Sequence, residues 1–130
     1  MKPQDNYTLE VNDFETYYKV QKYKKLLAEN WQNNTYYCYE YLKYYENETD
    51  NLLFFLLRKN DEPVVLMPFL KRKISIADIE TQYYDVITPY GYGGPLYNEV
   101  DKDNLVEFWK QVDSWYRDND IVTEFGEHCG

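Results

Sequence analysis

The chain has 130 residues, of which 44% are hydrophobic, enough for one domain with its own core. Its 23 acidic residues outnumber 14 basic ones, for a formal net charge of -9. That balance argues against nucleic acid, whose phosphates draw affinity from Lys and Arg, and against adsorption to anionic lipid.

Sixteen tyrosines dominate the aromatic content. A core built from them must place hydroxyls at its rim or supply them with partners. The opening residues Met1-Lys2-Pro3-Gln4-Asp5-Asn6 hold no apolar run, so no ordinary signal peptide is expected. The longest apolar stretch, 52–57, is too short to span a bilayer. Cys38 and Cys129 are too few and too far apart for a disulfide framework. A cytoplasmic protein with free thiols, without membrane insertion, is the expectation.

Residues 1–12 are polar and read as an arm or a short edge strand. Asp13 is the expected cap of a helix over 14–30, where Tyr17, Val20, Tyr23 and Leu27 recur at helical spacing. A shorter helix is expected from Cys38 to Asn47, on the spacing of Tyr37, Tyr41, Leu42 and Tyr45. The runs 52–58 and 64–72, separated by the turn cluster Lys59-Asn60-Asp61-Glu62-Pro63, predict a β-hairpin with a five-residue connection. Pro68 inside the second run implies a bulge or an edge, because it cannot donate to a ladder.

Residues 71–82 read as a polar loop and 83–88 as a third strand. A helix follows, capped by Asp101 or Asp103, with Leu105, Trp109, Val112 and Tyr116 in one stripe widened by Phe108 and Trp115. Asn119 suits its C-terminal end, and 121–125 a last strand. The predicted fold is mixed α/β in a single domain, 1–130. It has an antiparallel start and one strand–helix–strand crossover.

The most informative segment is Asp85-Val86-Ile87-Thr88-Pro89-Tyr90-Gly91-Tyr92-Gly93-Gly94. Glycine is required where φ is positive or where a partner approaches the backbone closely. Three glycines beside two tyrosines suit exposed N–H groups next to flat apolar walls. They equally suit a tight strand exit packed by its own rings.

This segment, extended to Tyr84 and Pro95, resembles the Asp-x-x-[Ser/Thr]-Pro-Tyr-Gly-Tyr-Gly-Gly-Pro turn of Fem-like proteins in the GNAT acyltransferase superfamily. Two weaker likenesses occur in the right order. Glu40-Tyr41-Leu42-Lys43-Tyr44-Tyr45-Glu46 is similar to the family's Glu-Tyr-Leu helix, and Val65-Leu66-Met67-Pro68-Phe69-Leu70 to its apolar strand with an internal Pro-Phe. The resemblance covers about residues 36–125 and implies the N-terminal half of a GNAT-like fold. The implied chemistry is transfer of an acyl or aminoacyl group to an amine or hydroxyl of a cell-wall or polysaccharide precursor. After Thr123-Glu124-Phe125 the family continues into further strands and helices, whereas here Gly126-Glu127-His128-Cys129-Gly130 follows. The resemblance thus implies a truncated domain, with no cofactor expected for this chain. The family's donor is acyl-CoA or aminoacyl-tRNA.

By the same resemblance, Tyr90, Gly91, Tyr92, Gly93 and Gly94 would line a cleft for a sugar or peptide acceptor. Asp85 and Glu124 are the candidate general bases, with helix capping or an ion pair as the plainer role. His128 beside Cys129 reads as a tail, since adjacent residues rarely address one reacting atom and no further ligand types cluster there. Lys71-Arg72-Lys73 is the one dense basic group, either a solvated strand end or a contact for a phosphate. A non-catalytic module that dimerises through an unfinished sheet edge is the alternative to an enzyme.

Overall fold

The computed structural model describes residues 5–31, 37–44, 46, 50–87, 95–97 and 102–122. In chain order they form β1 (Tyr7–Asp13), α1 (Tyr17–Asn30), α2 (Tyr39–Tyr44), β2 (Asp50–Lys59), β3 (Glu62–Ile76), β4 (Ile79–Ile87), β5 (Leu96–Tyr97) and α3 (Asp103–Asp118). β1 to β4 lie side by side in sequence order, each antiparallel to the next, and β5 pairs antiparallel with β3 at Val65 and Leu66. The architecture is mixed α/β around a largely antiparallel sheet.

Strand alternation sorts the core into two layers. Leu52, Phe54, Leu56, Leu66 and Leu70 face α1 and α2, where Tyr23, Leu26 and Leu42 cover them. Phe55, Leu57, Val65, Met67 and Phe69 face α3, against Phe108, Val112 and Tyr116. Both faces of β2 and β3 are therefore buried, which is why their sequences are continuous apolar runs rather than alternating ones. Phe55 stacks on Phe69 at 4.2 Å between centroids and 15° between planes. Such a pair adds roughly 1 kcal/mol beyond its buried area.

Helix α1 starts later than its sequence suggests. Thr16 is its N-cap and accepts the Lys19 N–H at 3.1 Å. Asp13 instead ends β1, accepting from the Glu15 N–H and the Lys19 ammonium, each at 2.9 Å. Helix α2 ends at Tyr44, and Asn47 lies outside the described residues.

The β2–β3 connection is shorter than the expected five residues. Lys59 pairs with Glu62, leaving Asn60 and Asp61 at φ 51° and 71°. Two consecutive left-handed residues match the twist of the flanking strands, and Asn and Asp tolerate that region. The expected loop over 71–82 is also a hairpin. β3 runs on to Ile76 and β4 begins at Ile79, with Ala77 and Asp78 at φ 51° and 65°. Its polar composition suits a ribbon whose residues 75–80 are exposed and need no apolar face. Strand β4 does lie beside β3, as expected for 83–88, although Thr88 lies outside the described residues.

Pro68 is buried in β3 opposite Phe54. On the far side β3 pairs with β5 at Val65 and Leu66, and with β4 only from Leu70. Pro68 thus falls in the gap, a locally one-sided position, while the β2–β3 bulge lies elsewhere, between Leu57 and Arg58.

Helix α3 has Lys102 at its N-cap position without a side-chain cap bond, and Asp103 is its first residue. Asp101 lies outside the described residues. The buried stripe is Asn104, Phe108, Val112 and Tyr116, with Leu105, Trp109 and Trp115 half-buried on its flanks. Asn104 accepts the Tyr7 hydroxyl at 2.9 Å, tying α3 to β1. At the C-terminus Asp120, at φ 59°, takes the left-handed position expected of Asn119. The Ile121 N–H then closes onto the Tyr116 carbonyl at 3.0 Å. Ile121 bridges Tyr84 in parallel, so the chain returns beside β4 after α3. Residues 123–125 of the expected last strand lie outside the described residues.

Candidate functional site

Of the residues singled out above, Lys71, Arg72 and Asp85 lie toward one end of the sheet. The end of β1, the start of β2 and the end of β4 meet there. Register rows make this explicit: Leu52, Leu70 and Ile87 stand side by side, as do Asn51, Lys71 and Val86. At ~4.8 Å per strand, Ile87 is about 10 Å from Leu52. Ile87, the last described residue of β4, thus stands in the row that contains Leu52.

A cleft of about 530 Å³ opens at this end, on the α1 and α2 side. Phe14 and Tyr39 form an aromatic wall, their rings 5.3 Å apart and tilted by 33°. Leu52 is the apolar floor, and Glu15 and Asn51 stand exposed at the rim. Lys43 and Glu46 complete the lining as an ion pair. Glu46 also accepts the Leu52 N–H at 2.9 Å, so one carboxylate fixes the end of α2 to the start of β2. The hydrogen bond to Glu46 holds the Lys43 ammonium above its ordinary pKa.

Helix α2 is held over the cleft by α1. The Tyr23 hydroxyl donates to the Tyr37 carbonyl, and Lys24 meets Glu40 at 2.6 Å. That hydrogen bond raises the pKa of Lys24 and lowers that of Glu40. A flat aromatic wall, an amide and carboxylates around an open cleft suit a polyhydroxylated or peptide-like ligand.

Asp85 sits on β4 opposite Arg72 of β3. Arg72 donates from Nε to Oδ1 at 2.9 Å and from Nη2 to Oδ2 at 2.6 Å. Both carboxylate oxygens are thereby engaged in a bidentate cross-strand clamp. Tyr90, Gly91, Tyr92, Gly93, Gly94 and Glu124 lie outside the described residues, as do His128 and Cys129. Cys38 is a free, half-buried thiol.

Of the cleft residues, Lys43 and Glu46 belong to the Glu40–Glu46 motif and Leu52 opens the apolar run 52–57. Phe14, Glu15, Tyr39 and Asn51 carry no local signal, because three separate segments bring them together. Among the described residues, no three potential metal-ligating side chains gather, and no helix is long and apolar enough to cross a membrane. No family model, no curated protein and no solved structure matches this chain.

Proposed function

We propose that this chain is an acyltransferase-fold domain related to the Fem-like group. In this reading it presents an acceptor cleft for an amine- or hydroxyl-bearing sugar or peptide of a cell-wall or polysaccharide precursor. The supporting observation is positional. Ile87, which precedes the tyrosine–glycine run in sequence, stands in the register row that reaches Leu52 in the cleft floor. The chain order also agrees: antiparallel strands, then a helix, then a parallel return beside β4. The acyl or aminoacyl donor would be acyl-CoA or aminoacyl-tRNA, as in the family.

Amide-detected NMR titration with an amino sugar and with a short lysine-containing peptide tests the acceptor reading. One of them is expected to shift Tyr39 and Asn51 saturably. Tyr92→Ala should weaken that binding several-fold without unfolding, since exposed aromatic stacking is worth on the order of 1 kcal/mol. No saturable shift with either probe would sink the reading. Calorimetry with acetyl-CoA is expected to give no binding, and micromolar affinity would instead make the chain a donor-binding enzyme.

A second reading, a self-associating module, is favoured by one observation. Among the described residues, β4 is bonded on its outer side only at Tyr84, and Ile76, Ile79 and Tyr83 are exposed at 66%, 69% and 43%. Sedimentation that stays monomeric at high concentration would exclude it.

A further inference from the structure

Among the described residues, every half-buried cation but two is matched to a carboxylate. Lys19, Lys22, Lys24, Arg58, Lys59 and Arg72 are all half-buried, and each lies within 3.6 Å of an Asp or Glu oxygen. Lys71 and Lys73 are also half-buried, yet neither has a carboxylate partner among the described residues. Both instead meet Tyr84, with ammonium groups 4.2 Å and 4.7 Å from its ring centroid. Lys71 also stands 5.8 Å from the ring of Trp115 on α3.

The register explains the convergence. Lys73 is the cross-strand partner of Tyr84 and Lys71 that of Val86, so all four side chains share the α3 face of the sheet. Arg72, between the lysines, points to the opposite face and is neutralised by Asp85. The Tyr84 hydroxyl has no hydrogen-bond partner among the described residues.

A half-buried ammonium without a counter-charge is costly, and a ring quadrupole offsets only part of that cost. Two of them on one ring also repel each other. Among the described residues, this arrangement leaves two cations and a phenol donor without an anion.

We propose that Lys71, Lys73 and Tyr84 form a binding site for the phosphoryl group of a soluble small molecule. A phosphate dianion balances both ammonium charges, and its oxygens accept from both lysines and from the phenol. A carboxylate would balance only one. The net charge of -9 sets the source, since it opposes an anionic membrane or a nucleic acid while a small ligand feels mainly the local field. The site lies across the sheet from the cleft and does not depend on the acyltransferase reading.

The test is an NMR titration with glucose 1-phosphate and inorganic phosphate at constant ionic strength, read at the Trp115 indole N–H and the Tyr84 ring. Acetate is the control anion. The expected result is a saturable shift, with a dissociation constant on the order of millimolar for both phosphates and at least tenfold weaker binding of acetate. Lys71→Gln with Lys73→Gln should abolish the shift, and Lys25→Gln with Lys110→Gln should leave it intact. Should the double glutamine variant misfold, Lys71→Met, which keeps the aliphatic stem over the ring, should weaken binding about tenfold. Equal shifts from acetate and phosphate would overturn the proposal, as would shifts unchanged by the lysine substitutions. Binding to phosphatidic acid vesicles without a shift from glucose 1-phosphate would overturn the soluble ligand.

Discussion

Single residues in this chain act chiefly by joining segments. Glu10 on β1 accepts from Arg58 Nε at 2.8 Å and from Asn12 Nδ2 at 3.3 Å, with Lys22 of α1 at 3.6 Å. Burial alone would raise its pKa. The hydrogen bonds and the charges of Arg58 and Lys22 outweigh burial and place it below the ordinary 4.5. Asp13 is held below 3.8, first by its Lys19 hydrogen bond. A carboxylate with a depressed folded pKa adds stability that is present above its unfolded pKa and is lost as pH falls through the folded value. The urea midpoint should therefore hold from pH 7 down to about 5 and then fall, and Glu10→Gln should flatten that fall. Ala77 tests backbone strain. It holds φ 51° with no side-chain bond to compensate, so Ala77→Gly should stabilise by ~1 kcal/mol in urea unfolding. A loss of stability instead would mean that the left-handed turn is not the folded conformation.

At the scale of elements, the helices depend on one cap and one stripe. Thr16 caps α1 through its side chain, so Thr16→Ala should cost ~1 kcal/mol and lower the helical signal at 222 nm before global unfolding. On α3 the central residue is Phe108, fully buried against Phe55, with Trp109 half-buried beside it. Phe108→Ala should cost about 3–5 kcal/mol, and Trp109→Ala clearly less. The reverse order in thermal or urea unfolding would restore the stripe expected from spacing alone. The register differs from that expectation because Asn104 is buried. It accepts from the Tyr7 hydroxyl, so a polar residue joins the covered face.

For the whole molecule, two-sided burial of β2 and β3 concentrates stability in the middle of the sheet. Amides of Phe54 to Leu57 and Val65 to Met67 should exchange most slowly in hydrogen exchange, with protection approaching global unfolding. The ribbon around Ala77 and Asp78, flanked by exposed Ile76 and Ile79, should exchange fastest among the strands. Strong protection at Ile79 to Gln82 would show that the ribbon is covered in solution and would favour self-association.

Much of this was legible in the sequence where one segment carries its own signal. The apolar runs at 52–58 and 64–72, the periodicity of α1 and the amphipathic α3 each encode a local structure, because side-chain period and backbone geometry are bound together over a few residues. Net charge and the tyrosine–glycine run likewise belong to the chain itself. Tertiary structure decided the rest. The polar stretch 71–82 became a ribbon because its backbone found pairing partners, which a hydropathy pattern does not record. Thr16 rather than Asp13 caps α1 because β1 extends to Asp13 through its pairing with β2. The cleft, the Arg72–Asp85 clamp and the lysine pair on Tyr84 each join residues from separate segments. Their chemistry arises from distance and from the face of the sheet, and both are set by strand register across the fold.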